Sequence, residues 1–344
     1  MIGPMKIDIF NHFFPKRFFD EFINTPAGPK DIGKRVREAA TIVDLDARFR
    51  VMDEFGEYCQ IISLPMPALE ALASPDKSPA LATMVNDGFA ELCQRHPARF
   101  PSFVASLPMN NPDAALREAE RAVKQLGARG VQVYTNVAGK PLDDADVLPI
   151  FEELARRDTV IWMHPSRGAS SPDYLTEDKS KYEIWWTFGW PYETSAAMAR
   201  LVFSAIFDRH PDLKIITHHM GGMIPYFEGR VGYGWDQLGK RTSDVDYTVL
   251  LKTLKKRPLD YFKMFYADTA LFGGAAATQC GLSFFGVDRV LFASDVPFEP
   301  SPGLYIRETI RCIEALGASA AHKDQIYRGN AERLLNLSKL MQTA

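Results

Sequence analysis

The chain has 344 residues, of which 46% are hydrophobic and 24% are charged, a composition typical of a soluble globular protein. Its 40 basic and 43 acidic residues are well mixed and give a formal net charge of −3. This pattern offers no basic stripe for a phosphate backbone, so we expect no nucleic-acid partner. No segment reaches the roughly 18 apolar residues of a membrane span, so we expect no membrane partner either. The four cysteines form no CxxC pair, which predicts unpaired thiols in the cytoplasm.

Eight short apolar segments recur along the chain, and most are followed by a stretch with helical periodicity. Several are apolar on both faces, as a parallel sheet covered on both sides requires. The pattern predicts an α/β fold with one domain over residues 1–344, a (β/α)8 TIM barrel rather than an open doubly wound sheet. The predicted strands are 6–10, 58–64, 100–107, 130–135, 159–164, 213–219, 264–270 and 289–295. The clearest helical stretches are 80–95, 112–126, 145–157, 194–208 and 303–316.

Two segments are too long for ordinary barrel loops. Residues 13–45 follow the first predicted strand, and residues 165–193 follow the fifth and carry Trp185, Trp186 and Trp190. Long loops in compact domains are usually functional, and clustered aromatic residues argue against disorder. We therefore expect both segments to cover the catalytic face of the barrel.

Polar residues with catalytic potential follow the predicted strands. His12, His164, His218 and His219 lie at the carboxyl ends of three strands, and Asp295 ends the eighth. In a barrel these strand ends converge on one mouth, where active sites form. Imidazoles with a carboxylate can hold a zinc-like ion or serve as an acid–base pair.

The chain resembles the amidohydrolase-related decarboxylases, a family that includes aminocarboxymuconate-semialdehyde, salicylate and γ-resorcylate decarboxylases. The resemblance covers essentially the whole chain, because the motifs occur in the family's order with compatible spacing. These motifs are residues 7–15 (IDIFNHFFP), Arg48 with Met52-Asp53, Met163-His164-Pro165, residues 190–194 (WPYET), His219-Met220-Gly221-Gly222 with Gly229-Arg230, residues 267–270 (ADTA), residues 293–297 (ASDVP) and Gly329-Asn330-Ala331.

The resemblance implies a role for each matched residue. His12, His164 and Asp295 match metal ligands, and His219 matches the acid–base histidine beside the metal and is close enough to be a fourth ligand. Asp295 is also predicted to be catalytic. The substrate-binding matches are Arg48, which would hold a substrate carboxylate, and Arg230, which would reach the site of a neighbouring subunit in a homodimer. Trp190 is expected to wall a flat substrate. The ordinary structural alternatives are a helix-surface charge for Arg48, an interface salt bridge for Arg230 and loop packing for Trp190.

His218 requires a separate interpretation. Successive strand residues point to opposite faces, so His218 and His219 can both face the mouth only if the strand has ended. His219 directly precedes the Met-Gly-Gly turn that matches the family. We therefore interpret His218 as a packed residue or an outer partner of the site.

The chain departs from the family at position 10. The family begins with a His-x-His or Glu-x-His pair, whereas this chain has Phe10-Asn11-His12. Phenylalanine supplies no lone pair, so one ligand is missing. Asp8 is expected on the same face one pleat deeper, about 6.5–7 Å along the strand, which makes it a poor substitute. A catalytic zinc site can operate with three protein ligands. We therefore expect a divalent metal, zinc first and manganese second, against the alternative of a metal-free site filled by Phe10.

These features predict a metal-dependent non-oxidative decarboxylase acting on a small aromatic or enol-type carboxylic acid. Two alternatives stay open on the sequence. One is a hydrolase in which the same ligands activate water against an ester, lactone or amide. The other is a catalytically weakened relative that binds its ligand without turning it over.

Overall fold

The computed structural model describes residues 5–25 and 31–337. Residues 1–4, 26–30 and 338–344, which the predicted domain and the predicted segment 13–45 partly include, lie outside the described residues. The strands are β1 Lys6–His12, β2 Tyr58–Ser63, β3 Ser102–Phe103, β4 Ala105–Ser106, β5 Val131–Tyr134, β6 Asn136–Val137, β7 Lys140–Pro141, β8 Ile161–His164, β9 Ile215–Thr217, β10 Tyr266–Asp268 and β11 Val290–Leu291. All eight predicted strands are present, with bounds that are mostly a few residues shorter at one or both ends.

The strands form a closed ring of parallel neighbours. The pairing order is β1-β2-β3 in one sheet and β4-β5-β8-β9-β10-β11 in the other. β3 and β4 flank Val104 and together form the third barrel strand, which joins the two sheets. The ring closes between β11 and β1, because Ile9 N donates to Phe292 O at 3.0 Å and Asp295 N donates to Phe10 O at 3.1 Å. The predicted TIM barrel is confirmed.

Helices cover the outside of the ring. They are α1 Lys16–Phe18, α2 Ile32–Glu38, α3 Leu45–Met52, α4 Leu69–Leu72, α5 Ser78–Arg95, α6 Pro112–Arg121, α7 Leu148–Arg156, α8 Ile184–Thr187, α9 Gly189–Phe203, α10 Ile206–Arg209, α11 Thr248–Thr253, α12 Pro258–Phe262, α13 Ala275–Phe285, α14 Leu304–Glu314, α15 Ala320–Asp324 and α16 Asn330–Leu335. Single 3-10 or π turns span Phe19–Ile23, Ala40–Ile42, Asp53–Phe55, Ala122–Leu126, His219–Gly221, Arg230–Gly234, Trp235–Gln237, Val287–Arg289 and Gln325–Gly329. None of the helices in the described ranges has the length and hydropathy needed to cross a bilayer.

Local sequence sets several of these helix boundaries. At α6, Asn111 precedes Pro112, and its side chain accepts a hydrogen bond from Ala114 N at 3.2 Å. Such a cap satisfies one of the backbone donors that a helix start leaves unpaired, and proline at the first position has no such donor.

The barrel interior is filled by side chains. Trp162 on β8 donates its indole N–H to Ile9 O on β1 at 3.0 Å. Because β1 and β8 are not neighbours in the ring, this bond crosses the interior. It runs through a buried apolar cluster that includes Ile7, Phe10 and Ile216. A second, larger cluster packs the helices onto the outside of the strands.

A β-bulge in β1 decides which side chains face the site. Asp8 pairs with Gln60, but the next paired residue is Asn11, opposite Ile62, so β1 contains one extra residue here. Asp8 and Asn11 consequently face outward toward α3, while Phe10 and His12 face inward. The expectation that Asp8 shares a face with residues 10 and 12 is wrong, because it assumed an unbroken pleat.

Outward-facing polar residues form a buried network, here called the outer network: Asp8, Asn11, Arg48, Tyr58, Gln60 and Ser294. Arg48 donates to Gln60 Oε1 and to Asn11 Oδ1, each at 2.8 Å. Gln60 donates to the Tyr58 hydroxyl at 2.8 Å, and that hydroxyl donates to Asp8 Oδ2 at 2.6 Å. Ser294 donates to Asp8 from both its backbone N and its hydroxyl. The network links α3 to the first, second and eighth barrel strands.

Candidate active site

Five side chains from four strand ends meet at the mouth of the barrel and are here called the inner cluster: His12, His164, His218, His219 and Asp295. Asp295 is the hub. Its Oδ1 lies 3.0 Å from His12 Nε2 and 3.3 Å from His218 Nε2, and its Oδ2 lies 3.4 Å from His219 Nε2. All five residues are buried, with at most 7% of their surface exposed. The four residues predicted from the sequence are thus brought together, and a fifth joins them.

Unusual backbone conformations aim these side chains. His219, Met220 and Asp295 have φ values of 52°, 54° and 63°, in the left-handed region. That region is uncommon for residues other than glycine and costs free energy that the surrounding structure must supply. β9 ends at Thr217, and the chain then turns through Gly222, where a Cβ would lie 2.5 Å from Pro191 O. The sharp turn lets two consecutive histidines reach one carboxylate.

Three of the imidazoles are oriented by an acceptor at Nδ1. The contacts are His12 to Ser63 Oγ at 3.1 Å, His164 to Pro165 O at 2.6 Å and His218 to Asp268 Oδ2 at 2.6 Å. The Ser63 hydroxyl donates to Asn11 O at 2.8 Å, so it accepts from His12. A proton on Nδ1 leaves the lone pair of each neutral ring on Nε2, the arrangement found in histidine metal ligands.

The lone pairs converge without hydrogen-bond partners. His12 Nε2, His218 Nε2 and Asp295 Oδ1 are fully buried and make no hydrogen bond of acceptable geometry despite their short separations. Buried polar atoms are normally paired, so such a group requires an explanation. Within the described residues, two sets have donor atoms within 4.8 Å of one another: His12, His164 and His218, and His218, His219 and Asp295. The arrangement fits a divalent cation.

Charge in the cluster is unevenly distributed. Burial lowers the pKa of His12 and of His164, so both rings are neutral. Burial alone would raise the pKa of Asp295, but the positive charge favoured on the neighbouring His218 holds it well below its usual value. Burial also opposes protonation of His218, yet the carboxylates of Asp268 and Asp295 raise its pKa to about 9. These carboxylates therefore favour a positive charge at His218, and a divalent cation would supply that charge in place of the Nε2 proton.

A cavity of about 520 Å³ opens onto Asp295. The two long segments build much of its wall, residues 31–38 from the segment after β1 and residues 183–190 from the segment after β8. Trp190 lies between this cavity and a neighbouring one of about 200 Å³ that reaches His219. The Trp190 ring is 5.6 Å from His164 and 6.4 Å from His219, nearly parallel to the latter. The long segments thus lie where the sequence placed them.

Known proteins resemble this chain in both sequence and fold. The sequence profile of the amidohydrolase family matches residues 8–337. A γ-resorcylate decarboxylase from Polaromonas sp. is 34% identical over 86% of this chain and 88% of its own. A 2-amino-3-carboxymuconate-6-semialdehyde decarboxylase from Dictyostelium discoideum is 27% identical over 97% and 92%. The crystal structure of a dihydroxybenzoic acid decarboxylase from Polaromonas sp., with bound manganese and the inhibitor 2-nitroresorcinol, superposes with a TM-score of 0.78, at 29% identity over 97% and 98%.

The chain belongs to the amidohydrolase family. The resemblance to the family's decarboxylases, first noted in short motifs, is confirmed along nearly the whole chain.

Arg48 does not reach the cavity of this amidohydrolase. Its side chain is 1% exposed, and its guanidinium is bound to Gln60 and Asn11 in the outer network. A guanidinium held by internal acceptors on the far side of β1 cannot grip a substrate carboxylate at the mouth. The expected substrate-binding role of Arg48 is therefore corrected to a structural one, which the matched motif by itself could not distinguish.

Arg230 lies on the surface, away from the inner cluster. It lines a separate groove of about 1070 Å³, and its guanidinium lies 5.9 Å from the Phe227 ring centroid. The single chain therefore does not bring Arg230 to its own site, and the predicted role across a dimer stays a prediction.

Two residues at the mouth of the barrel, His218 and Arg35, were not predicted from the sequence to face the site. His218 was placed outside the ligand set because β9 was expected to continue through His219, whereas it ends at Thr217. Arg35 on α2 lines the cavity beside Asp295, and its guanidinium donates to Glu299 O. Nothing in the periodicity of the sequence distinguished Arg35 from the basic residues around it, although its segment was expected to cover the site.

Proposed function

We propose that this amidohydrolase is a metal-dependent decarboxylase that removes CO₂ non-oxidatively from a small aromatic or enol-type carboxylic acid. The observation that carries the proposal is the buried convergence of unpartnered histidine nitrogens and the Asp295 carboxylate beneath an aromatic-walled cavity. Relatives that match most of the chain are named decarboxylases of this substrate class.

His12, His164 and Asp295 would hold the metal. Their imidazole-rich donor set suits zinc, whereas manganese prefers carboxylate and water oxygens. We therefore propose zinc, with the manganese of the Polaromonas enzyme as the alternative. When bound, a divalent cation supplies Lewis acidity that draws electron density from the substrate's carboxylate and its neighbouring oxygen.

His219 and Asp295 would transfer the proton that replaces the carboxylate on the substrate carbon. Decarboxylation breaks the bond between the ring carbon and the carboxylate carbon, and the electron pair left on the ring carbon must take up a proton. His219 Nε2 faces Asp295 Oδ2 at 3.4 Å, while its Nδ1 has no partner, so this ring is less constrained than the other three. Burial lowers the pKa of His219, which favours release of a proton once one is bound.

The cavity walls would position the substrate. Trp190 presents its ring beside His164 and His219 and donates its indole N–H to Arg167 O at 3.1 Å, which fixes its orientation. A flat aromatic acid would pack against such a face. Arg35 would bind the carboxylate, because a guanidinium has five donors and its bond to Glu299 O uses few of them.

The wider organisation is also proposed. We propose one domain over residues 1–344 and a homodimer in which Arg230 contacts the partner's site. Exposed Tyr226 and Tyr233 near the groove around Arg230 support such an interface. Four unpaired cysteines support a reducing, cytoplasmic location. Light scattering that finds a monomer at micromolar concentration would remove Arg230 from the mechanism.

The direct test combines metal analysis with a substrate screen. Protein purified without chelator is assayed for CO₂ release from ortho-hydroxybenzoates and muconate-type acids, alongside zinc and manganese quantification. We expect a bound divalent metal and CO₂ release that His219→Asn lowers about 10²–10⁴-fold, with exposed His322→Asn as the matched control. Acid production without CO₂ would indicate a hydrolase instead. Less than about a tenth of an equivalent of metal, with activity insensitive to chelation, would overturn the metal requirement.

A further inference from the structure

The inner cluster contains a histidine that the predicted ligand set does not use. Position 10, where the family has a ligand, holds Phe10, which is fully buried among the histidine rings. Its ring centroid lies 5.3 Å from that of His12, 5.7 Å from that of His164 and 4.2 Å from that of His218. The side chain that removes one donor is thus packed most closely against the histidine that has no assigned function.

The turn after β9 aims His218 into the cluster. The residue itself keeps an extended conformation, with φ −74° and ψ 155°, and its backbone N donates to Met163 O at 3.3 Å. The chain reverses at the next residue, where φ becomes positive. Since the alternation of the strand stops here, His218 and His219 both direct Nε2 at Asp295.

Asp268 fixes the ring of His218. Its Oδ2 accepts from His218 Nδ1 at 2.6 Å, and both side chains are completely buried. Its Oδ1 accepts from the backbone N of His219 at 3.0 Å and of Ala270 at 3.1 Å, so the carboxylate cannot rotate away. A carboxylate on the far nitrogen of a histidine sets the tautomer and raises the basicity of the ligating nitrogen. His219, in contrast, has a buried Nδ1 without any partner.

His218 also lies between the other potential metal ligands. Among the described residues, it is common to both sets of potential ligands, the set with His12 and His164 and the set with His219 and Asp295. Its Nε2 is buried and makes no hydrogen bond, although Asp295 Oδ1 is only 3.3 Å away. A histidine that merely packed or paired with Asp295 would use this atom in a well-oriented bond.

We propose that His218, oriented by Asp268, is a metal ligand that replaces at the end of β9 the donor that Phe10 cannot provide on β1. The site is then His12, His164, His218 and Asp295, and His219 is left for proton transfer. This inference rests on the proposed metal dependence, but it assigns a different ligand set.

Metal binding in equilibrium dialysis tests the assignment, with Zn²⁺ as the probe and folding checked by circular dichroism. We expect His218→Ala to raise the Kd for Zn²⁺ by more than about 100-fold, and Asp268→Asn to raise it about 10–100-fold. His219→Gln and the exposed control His322→Ala should change the Kd for Zn²⁺ by less than about three-fold. This is smaller than the loss of about 10–100-fold expected when a residue that orients a ligand is removed. X-ray absorption of the zinc-loaded proteins should lose one imidazole nitrogen in His218→Ala and none in His219→Gln.

A rescue variant separates a lost ligand from a damaged fold. Adding Phe10→Glu to His218→Ala returns a donor to the family position and should recover at least about tenfold in affinity. Unchanged zinc affinity and coordination in His218→Ala would overturn the His218 assignment while leaving the proposed decarboxylase intact. A wild-type protein that binds no zinc or manganese would instead overturn the metal dependence itself, so the two failures are distinguishable.

Discussion

Strand β1 separates two buried polar groups that differ in their hydrogen bonding. In the outer network, Arg48 and Asp8 are joined through the neutral side chains of Gln60 and Tyr58, and each hydrogen bond along this path pairs a donor with an acceptor. In the inner cluster, His12, His218 and Asp295 bring lone pairs together and leave them unpartnered. A satisfied network stabilises the fold by itself, whereas converging lone pairs without hydrogen-bond partners fit the binding of a divalent cation. The outward face of β1 thus contributes to the stability of the fold, and its inward face contributes to the proposed active site.

The hub of the inner cluster gives the largest expected effect. Asp295→Asn removes the charge that three histidines share, and with it both a proposed metal ligand and the proton partner of His219. We expect decarboxylase activity to fall about 10⁴-fold, the upper range for loss of acid–base chemistry. CO₂ release measured beside the exposed control Asp178→Asn checks this. Activity within tenfold of the wild type would mean that the inner cluster is not the active site.

Arg48 tests whether the outer network is structural. Arg48→Met leaves Gln60 Oε1 and Asn11 Oδ1 without their donors in a buried site. We expect the free energy of unfolding to fall by about 3–5 kcal/mol, measured by urea denaturation. Arg50→Met, an exposed arginine on the same helix, is the control. A higher KM at unchanged stability would instead restore Arg48 as a substrate-binding residue.

Asp8 tests the same network through pH. Burial raises the pKa of the Asp8 carboxyl from 3.8 to about 6. Between these values the folded protein holds a proton that the unfolded chain releases, so the free energy of unfolding decreases as pH rises, by at most about 3 kcal/mol. Asp8→Asn removes this titration, so the variant should gain stability relative to the wild type from about pH 4 to about pH 6.

Urea denaturation at several pH values measures this effect, with Asp178→Asn as the control. Parallel pH profiles for Asp8→Asn and the wild type would contradict it and would mean that Asp8 titrates as it does in the unfolded chain.

Arg35 gives the smallest expected effect and concerns the cavity above the inner cluster. Arg35→Lys keeps the charge but loses the planar fork that pairs with a carboxylate. We expect KM to rise about tenfold, equivalent to about 1.4 kcal/mol, with little change in kcat. Steady-state kinetics beside Arg17→Lys, an exposed arginine paired with Glu21, provides the comparison. An unchanged KM would remove Arg35 from substrate binding.

Much of the barrel could be predicted because its signals are local. The eight apolar segments coincide with the barrel strands, and Asn111 with Pro112 marks the start of α6 as expected. His12, His164, His219 and Asp295 could be placed at one mouth because parallel strands of a barrel end on the same face. The resemblance to amidohydrolase-related decarboxylases could be predicted from the order of the motifs, and it is confirmed by the family profile and by the related decarboxylases.

The errors arose where local rules depend on neighbouring strands. Strict alternation assigned Asp8 to the inner face, and the bulge in β1 turned it outward. The same rule excluded His218 from the mouth, yet β9 ends one residue before it. For Arg48, a matching motif identified the residue but not the direction of its side chain.

The sequence alone determined the fold class, the order of the strands and the residue types that follow them, because hydrophobic period and chain order are encoded locally. Only the tertiary structure decided which of those side chains face the cavity. The bulge in β1 and the turn after β9 depend on pairing with adjacent strands, and each breaks the strict alternation of side chains. The bulge turns Asn11 outward, where it accepts a hydrogen bond from Arg48, and the turn directs His218 toward the proposed metal site.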